Sequence, residues 1–214
     1  MLTIKKSLVA VSLFAAAGFA AATPFSVSAV TFTPGAGYGV DGTETTSSPT
    51  TLLDVRFSTA AFRAQNFNLD KVGDAFSFAV GTVHFAEPNA AQGIIESERD
   101  QLGVTVSFNF TRPGNAAPVV FTTATATAGS ISDNALDYAL NWAPVTVNFG
   151  STGQYLISLS NLAFTNIGTK TEMATITLLQ ADTARAGVPE PGSLALFGLG
   201  MLALGGLRRR KRAT

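Results

Sequence analysis

The sequence predicts an all-β domain, an antiparallel β-sandwich or jelly roll, flanked by an N-terminal signal helix and a short C-terminal transmembrane helix. Three observations support the all-β part. Apolar and polar residues alternate with a period of two in many short runs, turn-forming residues separate these runs, and no stretch of 23–187 shows the apolar stripe of an amphipathic helix. Many short strands joined by frequent turns are typical of sandwiches and jelly rolls.

The clearest strand is 104–110, where Val and Phe alternate with Thr, Ser and Asn, so that one face is apolar. The same alternation predicts further strands at 76–80, 145–149, 155–159 and 174–178. Weaker patterns predict strands over 25–33, 51–57 and 118–127. The alternation changes phase at Gly81 and at Asn161, and we expect a β-bulge at both places.

Residues 23–187 contain no internal boundary and are predicted to fold as one domain. Turns are marked by segments such as Arg112-Pro113-Gly114-Asn115. Most of the sixteen Phe fall in this body at inward-facing strand positions, which predicts an aromatic core. The chain has no Cys, so packing rather than disulfide bonds must stabilise the fold, and no thiolate metal site or Cys nucleophile is available.

Residues 1–22 have the layout of a secretory signal peptide. Lys5 and Lys6 precede an apolar run from Leu8 to Ala17, and small residues follow as far as Ala22. This arrangement predicts export through the secretion machinery and cleavage by signal peptidase after Ala20 or Ala22. An uncleaved amphipathic helix is the alternative interpretation.

Residues 188–214 repeat this layout in reverse. An extended segment comes first, then an apolar run over 193–207, and the chain closes on a basic cluster that should stay cytoplasmic: Arg208, Arg209, Arg210, Lys211 and Arg212. As a helix the apolar run would be about 22 Å long, against a hydrocarbon core of about 30 Å. The short span favours transient anchoring in the inner membrane. A plain tail anchor is the alternative.

The tail resembles the PEP-CTERM sorting domain. The resemblance lies in the motif Val188, Pro189, Glu190, Pro191, followed by the short Leu-, Gly- and Ala-rich run and the basic cluster. It implies that the processing partner is an exosortase, a membrane-embedded cysteine peptidase of Gram-negative bacteria that also make exopolysaccharide. Sorting of this kind follows the same logic as other cleaved C-terminal signals.

The body is similar, through looser motifs, to the choice-of-anchor K domain. The similarity covers Phe76 to Val83, the loop that contains Asn89, and Leu102 to Pro113. It implies a surface domain without an assigned activity, and it brings no catalytic residues.

The zero net charge of the whole chain conceals an acidic body. Seven of the fourteen Lys and Arg lie in the two ends, at Lys5, Lys6 and 208–212, whereas all fourteen acids lie between Asp41 and Glu190. A nucleic-acid partner is therefore not expected, because binding phosphates requires clustered Lys and Arg.

The body offers few groups for chemistry. His84 is the only His and the chain has no Cys, so neither a Cys-based nucleophilic triad nor an ordinary zinc site can form around it; a structural His on a sheet is the alternative. Glu96, Glu98 and Asp100 stand at alternate positions, where their oxygens are candidate calcium ligands or, equally, charges on a solvated edge. Tyr138 and Trp142 are either a platform for sugar stacking or core residues. No other cofactor is expected.

These observations predict an exported, non-catalytic cell-surface or matrix protein that exosortase sorts and that lies near exopolysaccharide in a biofilm. The alternative is a carbohydrate-binding surface module, assisted by calcium. An enzyme is disfavoured by the scarcity of His and Cys and by the absence of a recognisable acid pair.

Overall fold

The computed structural model describes residues 22–40, 52–87, 93–114, 116–131 and 133–182, and these contain eleven β-strands, a single 3₁₀ turn and no α-helix. The all-β prediction is confirmed. The predicted signal helix, the sorting motif, the short transmembrane helix and the basic cluster lie outside the described residues. Within the described part, no helix has the length and apolarity needed to cross a membrane.

The strands are β1 Thr23–Pro34, β2 Val55–Ser58, β3 Gln65–Leu69, β4 Ala75–Phe85, β5 Val104–Arg112, β6 Val119–Ala126, β7 Tyr138–Trp142, β8 Val145–Phe149, β9 Gly153–Leu159, β10 Leu162–Phe164 and β11 Gly168–Gln180. The 3₁₀ turn is Glu96–Arg99. The first sheet has the order β10-β7-β6-β5-β1-β3, and the second has the order β2-β4-β11-β9-β8. All pairings between these strands are antiparallel.

The two sheets share one hydrophobic core. Its side chains are the inward-facing members of the alternating strands, as the sequence predicts. Aromatic pairs join the sheets directly: the ring of Phe25 in the first sheet lies 5.3 Å from Tyr155 in the second, and Phe85 in the second lies 5.9 Å from Tyr138 in the first. The Phe residues of the described strands are buried or packed on this core except Phe121, which is 61% exposed.

Of the two predicted bulges, one is confirmed and one is wrong. In β4 the partner of Glu172 is Gly81 and the partner of Met173 is Ala79, so Val80 is the extra residue of a bulge. At Asn161 the chain instead leaves the second sheet at the end of β9 and enters the first sheet as β10. The change of phase there marks a crossover, because the new strand faces the same core from the opposite side.

The strands define two ends of the domain, which we call the tail end and the far end. At the tail end β1 begins, β3 ends, β4 begins and β11 ends; Thr23 pairs with Leu69, and Ala75 pairs with Thr177. At the far end β1 ends next to the start of β5, and Phe85 pairs with both Val55 and Gly168.

Candidate functional site

The chain passes into the sorting tail at the tail end of the domain. Asp182, two residues after β11, holds the β8–β9 turn: its Oδ1 accepts hydrogen bonds from the backbone N–H of Ser151, at 3.1 Å, and of Thr152, at 3.4 Å. The first strand starts at the same end, since β1 begins at Thr23, which pairs with Leu69. The predicted export signal and the predicted sorting signal therefore join the domain at the same end.

The far end is closed by two tyrosines, Tyr138, which is buried, and Tyr38, which is partly buried. Tyr38 Oη donates a hydrogen bond to the carbonyl of Leu102 at 2.5 Å and lies 2.8 Å from Tyr138 Oη, which donates to it. Burial raises the pKa of both phenols well above the ordinary value of 10.0, so both stay protonated donors. Tyr138 is fully buried and Trp142 is 7% exposed, so these two residues form part of the core and not an open sugar platform.

The three acids proposed as calcium ligands lie at the far end, in and after the 3₁₀ turn. Both carboxylate oxygens of Glu96 accept hydrogen bonds from Arg99, at 2.6 and 2.8 Å. Glu98 is fully buried, and its Oε2 accepts the N–H of Ile95 at 2.8 Å. Asp100 is exposed. Among the described residues, no three His, Cys, Asp or Glu side chains are grouped so that they could hold a metal ion. Calcium binding at this loop stays a prediction.

A buried carboxylate joins the two sheets near the middle of the domain, and sequence reasoning missed it. Glu172 of β11 is fully buried; its Oε2 accepts a hydrogen bond from Trp142 Nε1 of β7 at 3.0 Å, and its Oε1 accepts one from Ser160 Oγ at 2.8 Å. Burial raises the pKa of Glu172 to about 7, against the lowering effect of these hydrogen bonds. The strand predicted at 174–178 stops two residues short of Glu172, so the alternation carried no signal for this position.

His84 lies on the outer face of the second sheet. Its Nδ1 is 2.7 Å from Thr169 Oγ1 on the neighbouring strand, and Arg56 is its cross-strand partner on the other side. No Cys is available to act beside it, because the chain has none. The arrangement is that of a polar cross-strand contact on a sheet surface.

An all-β domain whose last strand leads into a proline-containing segment, an apolar run and a basic cluster has the layout of exported proteins with a C-terminal sorting signal. Residues 187–211 match the PEP-CTERM protein-sorting motif. The match includes the four residues of the predicted motif, Val188 to Pro191, and the basic cluster as far as Lys211.

The recognition of this sorting motif is thereby confirmed. The motif implies export, processing by exosortase and sorting to the cell surface of a Gram-negative bacterium. Comparison with curated proteins and with solved structures gave no match. The resemblance of the body to the choice-of-anchor K domain stays a prediction.

Proposed function

We propose that this protein is a non-catalytic surface protein that exosortase cuts within its tail and that then stands on the cell surface next to exopolysaccharide in a biofilm. The match of residues 187–211 to the sorting motif carries this proposal. The fold supports it, because both chain ends meet the domain at the tail end and the far end is left to point away from the membrane.

The geometry around Asp182 supports cleavage after the domain has folded. The hydrogen bonds of Asp182 to the β8–β9 turn hold the chain in the fold up to this residue. Five residues, 183–187, then separate Asp182 from Val188, and as extended chain this segment spans up to about 20 Å. This length gives a membrane enzyme access to the Pro-Glu-Pro segment without unfolding β11.

The test is a change of the motif in the full chain, expressed in a Gram-negative host that makes an exosortase. Replacing Pro189, Glu190 and Pro191 together by Ala should leave the tail uncut and the protein in the inner membrane. Mass spectrometry of the C-terminus and cell fractionation measure the two effects.

The matched control replaces Thr183 and Arg185 by Ala, because both belong to the same connecting segment and lie outside the matched residues. This variant should be processed as the unchanged chain is. Normal processing of the triple-alanine variant would refute the role of the motif.

A second candidate function is a carbohydrate-binding surface module. The observation that favours it is a pocket at the tail end, lined by an Arg and two Asn, rather than the acidic loop at the far end.

A further inference from the structure

A small cavity of about 190 Å³ lies at the tail end of the first sheet, across strands β3, β1 and β5. It is lined by Pro24, Phe25, Asn66, Phe67, Asn68 and Arg112. Pockets for drug-sized ligands have volumes of about 300–1,000 Å³. This cavity therefore accommodates a smaller group, of the size of one ring with its substituents.

The strand register places the polar lining on the outer face of the sheet. Pro24 pairs with Asn68, and Ser26 pairs with both Asn66 and Arg112. Residues paired across strands share a face, and the intervening Phe25 is buried in the core, so Pro24, Asn66, Asn68 and Arg112 face outward. The two Asn side chains, two residues apart on one strand, are separated by about 7 Å along it.

The polar groups of the pocket are available to a ligand. Within the described part of the chain, the side chains of Arg112, Asn66 and Asn68 make no hydrogen bond or ion pair, whereas Arg99 is paired with Glu96 and Arg63 is bonded to backbone carbonyls. Strands β1, β3 and β5 contain no Asp or Glu. Of the six residues that line the pocket, Arg112 alone carries a charge.

The chemistry of the lining selects the ligand. A guanidinium forms two parallel hydrogen bonds with one carboxylate, and a single positive charge matches a single negative one. Asn side chains both donate and accept hydrogen bonds, as sugar hydroxyls do. The apolar surface is small: Phe67 pairs with Phe25 and its ring is stacked between Phe25 and Phe76, at 5.3 and 4.2 Å, so the ring of Pro24 is what remains on the outer face.

We propose that this pocket binds a carboxylate-bearing sugar, a uronic acid residue of an acidic polysaccharide. Arg112 holds the carboxylate, Asn66 and Asn68 bind ring hydroxyls, and Pro24 packs against the apolar ring face. The inference rests on the proposed function only in that the tail end of the domain, where the pocket lies, meets polysaccharide close to the membrane surface. Binding by the purified chain does not require exosortase, so the two proposals fail separately.

The test measures binding of α-1,4-linked trigalacturonate to the full chain purified in detergent, with the neutral galactose trimer of the same linkage for comparison. Trigalacturonate should shift the side-chain amide NMR signals of Asn66 and Asn68 saturably, and the neutral trimer should bind at least about tenfold more weakly, because a bond to a charged group is lost.

Arg112→Gln should weaken trigalacturonate binding by at least about tenfold. Arg112→Lys should weaken binding less, because Lys keeps the positive charge but cannot form the two parallel hydrogen bonds of a guanidinium. The matched control is Arg56→Gln, an exposed Arg on the outer face of the second sheet, which should bind normally. If Arg112→Gln does not fold, the double variant Asn66→Ala, Asn68→Ala provides the second measurement and should bind several-fold more weakly.

Three results would overturn the proposal: no saturable shift with trigalacturonate, equal binding of the neutral trimer, or equal loss in the Arg56 and Arg112 variants. A fourth is tighter binding of a peptide of residues 186–193, which would assign the pocket to the carboxylate of the chain's own Glu190.

Discussion

At the scale of the residue, Glu172 stands out because burial at the centre of the sandwich disfavours the ionised form of its carboxyl group. The strand predicted at 174–178 did not include Glu172, and a Glu between Thr and Met is typical of an exposed position. Its partner was easier to place: Trp142, beside Pro144, is a core residue, which was one of the two interpretations of the sequence. The hydrogen bond between the two joins strands that are 30 residues apart in sequence, and alternation carries no information about such pairs.

Stability should therefore fall as pH rises through neutrality. The folded-state pKa of Glu172, about 7, is above its ordinary value of 4.5, so the folded chain binds this proton more tightly than the unfolded chain does. The contribution is fully present below about pH 4.5 and is lost as pH rises through about 7; its full size is about 3 kcal/mol. Urea unfolding followed by the fluorescence of Trp142, the only Trp, measures it at pH 5 and pH 8.

Glu172→Gln reproduces the protonated shape and should remove most of this pH dependence, with stability above that of the unchanged chain at pH 8 and equal to it at pH 5. Asp70→Asn changes an exposed acid and should leave the pH dependence in place. A parallel decline of the Gln variant between pH 5 and pH 8 would show that another group is responsible.

At the scale of the element, strands with a clear run of alternating apolar residues were predictable whatever their length, and strands without one were not. β5, β8 and β9 begin or end within two residues of their predictions. β3 and β7 were missed, because β3 has only two apolar residues among Gln and Asn, and four of the five residues of β7 are buried, which removes the alternation. β2 begins four residues later than the predicted strand 51–57. The local pattern reports which residues face the core and not where the chain changes sheet.

The loop before the 3₁₀ turn depends on Gly93. Its φ of 61° is in the left-handed region, and an added Cβ would fall on the carbonyl oxygen of Gly129, where Ile94 and Gly129 exchange backbone hydrogen bonds of 3.0 and 2.8 Å. Gly93→Ala should destabilise the domain by more than the roughly 1–2 kcal/mol that a left-handed Ala costs.

Gly73→Ala is the matched control, because Gly73 also has a positive φ, 92°, but has nothing within 4 Å of an added Cβ. It should show only the backbone cost. Thermal unfolding compares the two, and equal losses would mean that the contact with Gly129 relaxes freely.

At the scale of the whole molecule, the sorting signal could be recognised in the sequence, but the three-dimensional arrangement of the domain could not. The sorting motif is contiguous, so spacing and residue type suffice to recognise it. The pocket is not contiguous: Pro24, Asn66 and Arg112 come together only through the order β3-β1-β5. A single Arg near the end of a strand has no distinguishing sequence context.

The proposed display also predicts which parts of the domain are accessible on cells. The chain has no Cys, so single-Cys variants can be labelled cleanly. Ser97→Cys at the far end should react with a bulky maleimide faster than Ser151→Cys, which lies beside Asp182 at the tail end; both positions are exposed in the domain. In detergent the two should react alike, and equal rates on intact cells would contradict the orientation.

The position of β11 also governs how the domain bears mechanical load. The strand lies between β4 and β9 and runs from the far end to the tail end, where the chain continues into the sorting tail. A pull on the sorting tail, opposed by drag on the far end, loads in shear the hydrogen bonds that β11 makes with β4 and β9. Many of these hydrogen bonds must therefore break together. The contacts of Asp182 with the β8–β9 turn receive the force first. Under flow, the load on the domain is thus carried by its most extensively paired strand.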